Sequence, residues 1–562
     1  MLGALAVGTF VLAACGSDDE ATTTTAGGSD ATAAAPDDST GATTGATTGG
    51  TSGDGTATTM GGGEGGQSDS ALVIARGMDV NSLDPALAYC DTCQIYLTAV
   101  YETLIGLAED NQTLVPRLAT EWTSNPEQTQ FTFTLDQTAT FADGTPVTSA
   151  DVKFSWERLQ ALEGGASYLV GGIETIETPD EHTVIVNLVE PNSAFLAQVN
   201  APYLGITNSK LAQENGATTD LESNAGEDWF LENSAGSGPF QLAAYTQGNE
   251  LRLLRNDAYW GTPANFPEVI IRETVEAVTQ RQQLEEGEVD IAMQISNDVA
   301  AGMGGDDVIV EQVPSFNYVY LALSPGAAGG EQLTPEVREA IRLALDYDGL
   351  IDVTVGGAGQ KQASPIPNGF AGTSNLPEPQ QDLDAARKLL ADAGVTELTL
   401  DATYPSLNVY GVDFSTAMQK IQTDLEEIGI TLELNPIDIT VWADRIGAEG
   451  IPVTMVYFAP DHTDSSQYLQ YFGMIPDSAW LARSGLDPVP EQSELLSQAF
   501  GEQDPAARDA LYEQLAELMI ADHVIIPVVN PNLFLAYRSD ITGLYYSACC
   551  NLVLAQLGRS AG

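Results

Sequence analysis

One short stretch of the chain brings together side chains that could do chemistry. Asp461, His462 and Asp464 lie close together, and carboxylates beside an imidazole can hold a metal ion or transfer protons. The stretch also fits an ordinary polar loop, which is the interpretation we favour. The chain has three histidines and lacks the His-Glu-x-x-His and Gly-x-Ser-x-Gly motifs of hydrolases. We therefore predict no enzyme, no cofactor and no metal site, with a secreted hydrolase as the catalytic alternative.

The thiol of Cys15 is the first reactive group in the chain. It follows an apolar run, 2–14, which has the length of a signal peptide and is too short to cross a bilayer stably. Small residues directly before the cysteine resemble a bacterial lipobox, although no lysine or arginine precedes the run. Residues 1–15 are therefore predicted to be a lipoprotein signal peptide with Cys15 as the lipidated residue. A buried apolar terminus with an ordinary cysteine is the alternative.

Residues 16–69 contain only glycine, serine, threonine, alanine, aspartate, glutamate, glutamine, one proline and one methionine. Such a segment cannot bury enough apolar surface to offset the entropy lost on folding, so we predict a disordered tether. Over the whole chain of 562 residues, 79 acidic and 20 basic residues give a net charge of −59. This charge argues against nucleic-acid binding, which needs lysine and arginine.

Four further cysteines are candidates for disulfides, namely Cys90, Cys93, Cys549 and Cys550. An exported chain favours disulfides over free thiols, and four cysteines allow three pairings. Two of these pairings would join the beginning of the folded chain to its end. A four-thiolate metal site is the alternative, but adjacent cysteines give poor chelate spacing compared with two Cys-x-x-Cys pairs.

From about residue 70, short strands alternate with amphipathic helices. Alternating apolar side chains predict strands at 131–135 and 184–188. Helix start signals stand at Thr148, Thr334 and Asp504. The apolar faces predicted for two later helices are Met418, Ile421, Leu425 and Ile428, and Leu511, Leu515 and Leu518. The body is therefore predicted to be mixed α/β, in more than one lobe.

An ordered series of segments between residues 71 and 557 resembles the bacterial extracellular solute-binding proteins of family 5, the oligopeptide, dipeptide and nickel receptors of ABC importers. These segments are, in chain order, Asn81 to Ala86, Val100 to Leu104, Phe131 to Leu135, Phe141 to Val152, Phe154 to Arg158, Gly236 to Phe240, Arg255 to Gly261, Val337 to Ile341, Ala344 to Asp346, Ala385 to Gly394 and Ile428 to Ile430. One such segment would be weak evidence of a relationship to this family. This many segments, in the order in which the family has them, are specific evidence of it.

The resemblance implies a two-lobe α/β fold of the periplasmic-binding-protein type, also called a Venus flytrap, in its large form with an extra subdomain. Lobe I would span 70–317 with the subdomain at about 104–229, lobe II would span 318–523, and 524–562 would return to lobe I. Both ends of the folded chain would then lie in lobe I. That arrangement would bring the first cysteine pair within plausible reach of the second.

The resemblance also implies a ligand site. Peptide-binding relatives hold the α-ammonium of an extended peptide with a lobe II aspartate, and Asp461 falls at that position. The alternative is a turn carboxylate that caps the helix before Tyr468. Further candidates for lining the cleft are His462, Tyr457, Phe458 and Trp442. Some relatives place an aromatic platform where this chain has Ile439.

The predicted function is therefore a lipid-anchored receptor on the outer face of the cytoplasmic membrane, periplasmic or extracellular. It would capture peptide-like solutes by lobe closure and deliver them to an ABC permease with its ATPases. It would work as a monomer that touches the membrane only through the lipid. A nickel complex, a glycan or another small solute is the alternative ligand. A surface signalling or adhesion module is a further alternative class.

Overall fold

The computed structural model describes residues 70–560, which all belong to one structural unit, Gly65–Gly562. The predictions for Cys15 and for the tether at 16–69 lie outside the described residues. No helix among residues 70–560 is long and apolar enough to cross a membrane.

The described chain contains strands of two to eight residues. They are β1 Leu72–Arg76, β2 Ile105–Leu107, β3 Leu114–Pro116, β4 Ala119–Ser124, β5 Gln130–Leu135, β6 Ile173–Asp180, β7 Thr183–Leu188, β8 Phe240–Thr246, β9 Glu250–Arg255, β10 Glu268–Glu273, β11 Ile291–Ala292, β12 Val308–Val313, β13 Tyr318–Leu323, β14 Gly359–Gln360, β15 Leu398–Pro405, β16 Asn408–Val409, β17 Val412–Asp413, β18 Ile430–Ile437, β19 Val453–Phe458, β20 Ile525–Pro531, β21 Leu533–Arg538, β22 Ile541–Thr542 and β23 Gly558–Arg559.

Helices connect most of these strands. They are α1 Asp91–Val100, α2 Ser149–Ala161, α3 Phe195–Val199, α4 Ser209–Glu214, α5 Glu227–Phe230, α6 Ala277–Glu286, α7 Asn297–Ala300, α8 Pro335–Ala344, α9 Tyr347–Val355, α10 Leu383–Asp392, α11 Phe414–Glu426, α12 Ile439–Ala448, α13 Ser466–Phe472, α14 Ala479–Ser484, α15 Pro490–Gly501 and α16 Pro505–Asp522, with short 3₁₀ turns at Ser167–Val170, Pro202–Leu204 and Leu554–Gln556.

Lobe I is built on a seven-stranded sheet with the order β12-β21-β11-β1-β10-β9-β8. β1 runs parallel to β10 and β11, whereas β9 runs antiparallel to β8 and β10. A separate four-stranded sheet, β4-β5-β7-β6, lies within the sequence range predicted for the subdomain. Its inward residues Phe131, Phe133 and Val186 share one apolar core with Leu72 and Ile74 of the larger sheet, which joins the subdomain to the lobe.

Lobe II is built on a six-stranded sheet with the order β14-β20-β13-β19-β15-β18. Every residue of β13 is buried, because successive side chains of this central strand enter cores on opposite faces of the sheet. Val319 and Leu321 pack in one core, and Tyr318 and Tyr320 pack in the other. The chain enters lobe II at this strand.

The return to lobe I differs from the prediction. The chain was expected to return from residue 524, but β20 at Ile525–Pro531 pairs with β13 and so belongs to the lobe II sheet. The lobe I sheet is rejoined by β21, which pairs with β11 and β12. The apolar sequence of β20 matches a central strand of either sheet, so the pairing could not be read from it.

Helix starts follow the predicted capping signals. α2 begins after Thr148, whose hydroxyl and amide both bond to the Asp151 carboxylate in a capping box. α8 and α16 begin with proline directly after Thr334 and Asp504, whose side chains accept backbone amide bonds. α11 buries Met418, Ile421 and Leu425, as predicted. α16 instead buries Tyr512, Leu515, Ala516 and Met519, so its inward face is turned relative to the prediction.

Candidate functional site

The loop between β19 and α13 reaches from lobe II toward lobe I and contains Asp461. Its backbone is held by Gln467, whose side-chain oxygen accepts from the Asp461 amide at 2.8 Å. The Gln467 amide group donates to the carbonyls of His462 and Asp464. The first turn of α13 thus fixes the direction of the Asp461 side chain.

The carboxylate of Asp461 bonds directly to lobe I. Its Oδ2 accepts hydrogen bonds from the hydroxyls of Tyr89 at 2.7 Å and Tyr168 at 2.6 Å. Only 4% of Asp461 is exposed. Burial raises the pKa of Asp461 to about 6, against the lowering effect of the two tyrosine bonds. The site is therefore a carboxylate that is half-protonated near pH 6, is mostly ionised at pH 7 and is placed between the lobes.

Helix capping in this loop is done by Asp464. Asp464 Oδ1 accepts from the amide of Ser466 at 2.9 Å and from the hydroxyl of Tyr512 at 2.6 Å. Arg508 lies 3.4 Å from its other oxygen. The alternative capping role considered for Asp461 is thus filled by Asp464, and the Asp461 carboxylate is left to contact the other lobe.

His462 is fully buried, and the amide of Asp464 donates to its Nδ1 at 3.2 Å. Burial lowers the pKa of His462 to about 4, so the ring is neutral near pH 7. Within residues 70–560, no group of three or more histidines, cysteines and acidic residues is arranged to hold a metal ion.

The other three predicted site residues lie in different surroundings. Tyr457 lines a large cavity between the lobes. Phe458 points into the lobe II core, where its ring lies 4.9 Å from that of Phe472. Trp442 is half-buried and donates to the Thr454 hydroxyl at 2.9 Å.

The cavity between the lobes has a volume of about 960 Å³, within the size range of ligand sites. Both lobes line it. Its charged lining consists of the carboxylates Asp79, Asp91, Glu273, Glu276, Asp298, Asp352 and Asp413 and the guanidinium Arg76. Seven acidic groups against one basic group give the cavity a negative potential, which favours a positively charged occupant.

Asp91 is a cavity carboxylate whose pKa lies above its ordinary value. Burial, together with the neighbouring carboxylate of Asp79, raises the pKa of Asp91 to about 7, against the lowering effect of Arg76. Tyr410 of lobe II donates its hydroxyl to Asp91 at 3.2 Å and packs edge-on against Tyr457. This is a second carboxylate–tyrosine contact between the lobes.

Apolar side chains are exposed around the same cavity. Val275 and Val278 of lobe I are 67% and 66% exposed, and Val353 and Ile439 of lobe II are 49% and 39% exposed. All four line the cavity. Exposed apolar side chains gathered at a cavity are typical of a ligand site, because a bound molecule can cover them.

The cysteines pair locally. Cys90 and Cys93 form a disulfide at the start of α1. Cys549 and Cys550 are buried free thiols. Neither pairing that would join the two ends of the folded chain is formed, because the Cys-x-x-Cys spacing at a helix start already brings Cys90 and Cys93 together.

Sequence reasoning missed Tyr89, Tyr168, Asp91 and Tyr410. Tyr89 and Tyr168 lie about 300 residues or more before Asp461, and no periodic pattern relates such distant positions. The only local signal is that Tyr89 and Asp91 flank Cys90, whose disulfide fixes that turn.

A two-lobed chain with a ligand-sized, charged cavity between its sheets has the architecture of a solute-binding receptor. Comparison with known proteins gives the particular group. Residues 113–476, more than half of the chain, match the family described as "Bacterial extracellular solute-binding proteins, family 5 Middle", and the chain belongs to this family. The predicted fold class and family are confirmed.

Several known relatives align with nearly the whole described chain. A probable D,D-dipeptide-binding periplasmic protein of Escherichia coli, DdpA, is 27% identical, with 85% of this chain and 91% of that protein covered. Helicobacter pylori DppA, solved with the peptide STSA, has a TM-score of 0.76 at 23% identity, with 88% and 98% of the two chains covered. Staphylococcus aureus NikA, solved with Ni(L-His)₂, has a TM-score of 0.72 at 16% identity, with 87% and 100% covered. At these identities, the two structures support the fold alone.

Proposed function

We propose that this chain is an extracellular, lipid-anchored receptor that captures peptide-like solutes by lobe closure and delivers them to an ABC permease. The observation that carries the proposal is the buried Asp461 carboxylate, held across the cleft by two lobe I tyrosines. A buried carboxylate forms a strong charge-assisted bond with an ammonium group. The names of relatives such as DdpA and DppA support peptides as the solute class.

Lobe closure follows from which lobe supplies each contact. Asp461 and Tyr410 belong to lobe II, whereas Tyr89, Tyr168 and Asp91 belong to lobe I. A solute that bonds to both sets can make all of these contacts only when the lobes are together. It therefore binds the closed state more tightly than the open state. That difference in affinity is what shifts the population toward closure.

Charge in the cavity refines the solute class. With seven carboxylates and one guanidinium in the lining, the cavity favours peptides that carry positive charge beyond the α-ammonium. The exposed Val275, Val278, Val353 and Ile439 favour apolar side chains in the same solutes. Small peptides with a lysine or arginine and an aliphatic residue combine both properties.

Peptide binding by the purified chain tests the proposal. We expect isothermal calorimetry to show binding of a Lys-Leu-type dipeptide or tripeptide with a free amino terminus, weaker binding of the Glu-Leu counterpart, and strong loss on N-acetylation. Ni(L-His)₂ and a neutral disaccharide serve as matched non-peptide solutes. If one of these solutes binds and no peptide does, the proposed ligand class would be that solute and not a peptide.

Peptide affinity should also depend on pH. The empty receptor holds Asp461 with a pKa of about 6 and Asp91 with a pKa of about 7, whereas a bound cation favours the ionised carboxylates. Their pKa values must therefore be lower in the complex, and binding in this range releases protons. Affinity should be constant well above pH 7 and fall as the pH drops, approaching about tenfold per pH unit for each coupled carboxylate.

Calorimetry in buffers of different ionisation enthalpy measures the released protons directly. Asp461→Asn should remove the part of the pH dependence centred near pH 6. Affinity that rises on acidification would contradict carboxylate recognition of a cation.

A further inference from the structure

The tight turn around Cys549 and Cys550 lies between β22 and the 3₁₀ turn at Leu554–Gln556. The backbone of Ser547 pairs with Asn551, and the Ser547 carbonyl also accepts from the Cys550 amide at 3.3 Å. The two sulfur atoms lie 2.9 Å apart. Cys549 is 7% exposed and Cys550 is fully buried. This turn has no part in the solute site described above.

We infer that Cys549 and Cys550 are a modification site, at which the two adjacent thiols are oxidised to a disulfide. A disulfide bond has an S–S distance of about 2.05 Å, so the sulfurs need to approach by less than about 1 Å. The peptide between the two cysteines must adjust as well, because Cα atoms of adjacent residues lie about 3.8 Å apart, closer than the usual range of about 4.4–6.8 Å. Cys90 and Cys93, the other cysteines in residues 70–560, are already joined to each other. Each of the two thiols therefore has the other as its partner within the described chain.

The surroundings of the pair identify the nucleophile. The hydrogen bond between the two sulfurs holds the pKa of Cys549 below its ordinary value, and the Ser547 hydroxyl lies 3.2 Å from the same sulfur. A thiolate is the form that attacks disulfides. Cys549 is thus the attacking group, because its contacts with Cys550 and Ser547 lie within the turn itself, and Cys550 is the resolving thiol.

The oxidant is a disulfide, either of a small thiol or of a thiol–disulfide oxidoreductase. The Cys549 thiolate attacks one oxidant sulfur and forms a mixed disulfide, which releases the other sulfur as a thiolate. Cys550 gives its proton to that thiolate and attacks the Cys549 sulfur, which releases the second thiolate. The second thiolate takes up, through water, the proton that Cys549 lost when it ionised. Two cysteine thiols are oxidised to one disulfide, and the oxidant disulfide is reduced to two thiols.

Oxidation must precede the final packing of the turn. The cavity that Cys549 lines has a volume of about 30 Å³, which has room for little more than one water molecule and none for a disulfide oxidant. The oxidant therefore reacts with the 547–551 turn after the turn has formed and before the rest of the chain packs over it, in the compartment to which the chain is exported. Once the turn is packed, burial protects the product from reductants.

The turn contacts the connection between the lobes. Asn317, directly before β13, donates to Asn551 at 3.4 Å and accepts from the Tyr546 hydroxyl at 3.3 Å. Asn111 of lobe I bonds to both Tyr546 and Ala548. The disulfide would thus fix the turn through which the carboxyl-terminal segment contacts the start of lobe II.

Mass spectrometry of the exported full chain tests this inference. The chain, purified without reductant, is denatured in acid and alkylated, and trypsin then releases a single peptide, 539–559, that contains both cysteines. We expect this peptide to be unalkylated and two hydrogen atoms lighter than the dithiol. After reduction, it should take up two alkyl groups.

Cys90 and Cys93 are the internal control, because their oxidation shows that the chain has met the oxidant. Peptide 539–559 with two alkyl groups beside an oxidised Cys90–Cys93 pair would overturn the inference, as would a cross-link between the two pairs. Cys549→Ser should give one alkylated cysteine at residue 550. This readout does not require the variant to fold, since it is taken on denatured chain.

Discussion

Replacing Asp461 by asparagine is expected to weaken the binding of a peptide with a free amino terminus by about 2–5 kcal/mol. The substitution keeps the volume of the side chain and an oxygen that can accept from Tyr89 and Tyr168. It removes the negative charge, so a bound ammonium would be buried without its partner. Calorimetry at pH 8, where the carboxylate of the wild type is ionised, measures the difference.

A double-mutant cycle separates this contact from other effects of the substitution. N-acetylation of the peptide removes the ammonium, so it should cost the wild type a similar free energy and cost Asp461→Asn almost nothing further. Asp487→Asn removes the same charge from an exposed lobe II position and should leave affinity unchanged. Unchanged affinity of Asp461→Asn for the free peptide would exclude Asp461 from the site.

Individual helix starts could be predicted from the sequence because they depend on residues that are close together in the chain. The capping box at Thr148 and Asp151 uses residues three positions apart, and it forms as predicted. The face of α16 was predicted from its leucines. Leu515 is buried as predicted, but Leu511 and Leu518 are only half-buried, and Tyr512, whose hydroxyl donates to Asp464, is buried instead. A hydroxyl that finds a buried carboxylate from another element changes which side of a helix is inward, and the hydrophobic pattern alone cannot show this.

The cavity could not be predicted because it is assembled from distant segments. Asp91 lies 319 positions before Tyr410, which approaches it from the other lobe. Asp461, which is not among the residues that line this cavity, could be named in advance only through the family resemblance, and its tyrosine partners could not. The acidic lining also could not be predicted from composition, because the chain has 79 acidic residues and nothing in the sequence distinguishes the seven that line the cavity.

The family segments resembled a series of separate motifs, and the structure shows that several of them contact one another. Glu102, from the second segment, is buried and accepts hydrogen bonds from Ser237, Tyr259 and Trp260, which belong to two later segments. Asp84, from the first segment, pairs with Arg158 at the end of another. The motifs therefore stabilise lobe I, as their turn and capping chemistry suggested. Glu102, Asp84 and Arg158 are buried ionisable residues among them, and each bonds to partners from other segments.

Removal of the Asp84 carboxylate is expected to have the largest effect on stability. Asp84 and Arg158 form a two-pronged ion pair, with side chains that are 0% and 3% exposed. Asp84→Asn would leave the Arg158 guanidinium buried without a counter-charge, which typically costs about 3–5 kcal/mol. Denaturant unfolding, followed by the fluorescence of the chain's six tryptophans, should show a lower midpoint.

The exposed pair Lys388–Asp392 on α10 is the matched control, because it is also an aspartate salt bridge but 76% and 64% of its side chains are exposed. Asp392→Asn should not move the unfolding transition measurably, since exposed pairs contribute little. The double variant Asp84→Asn with Arg158→Met should recover part of the loss, because it removes the unpaired charge as well. An Asp84→Asn protein as stable as the wild type would mean that water reaches Arg158. If the folded Asp84→Asn protein instead keeps its peptide affinity while losing stability, Asp84 and Arg158 support the fold of lobe I and take no part in solute binding.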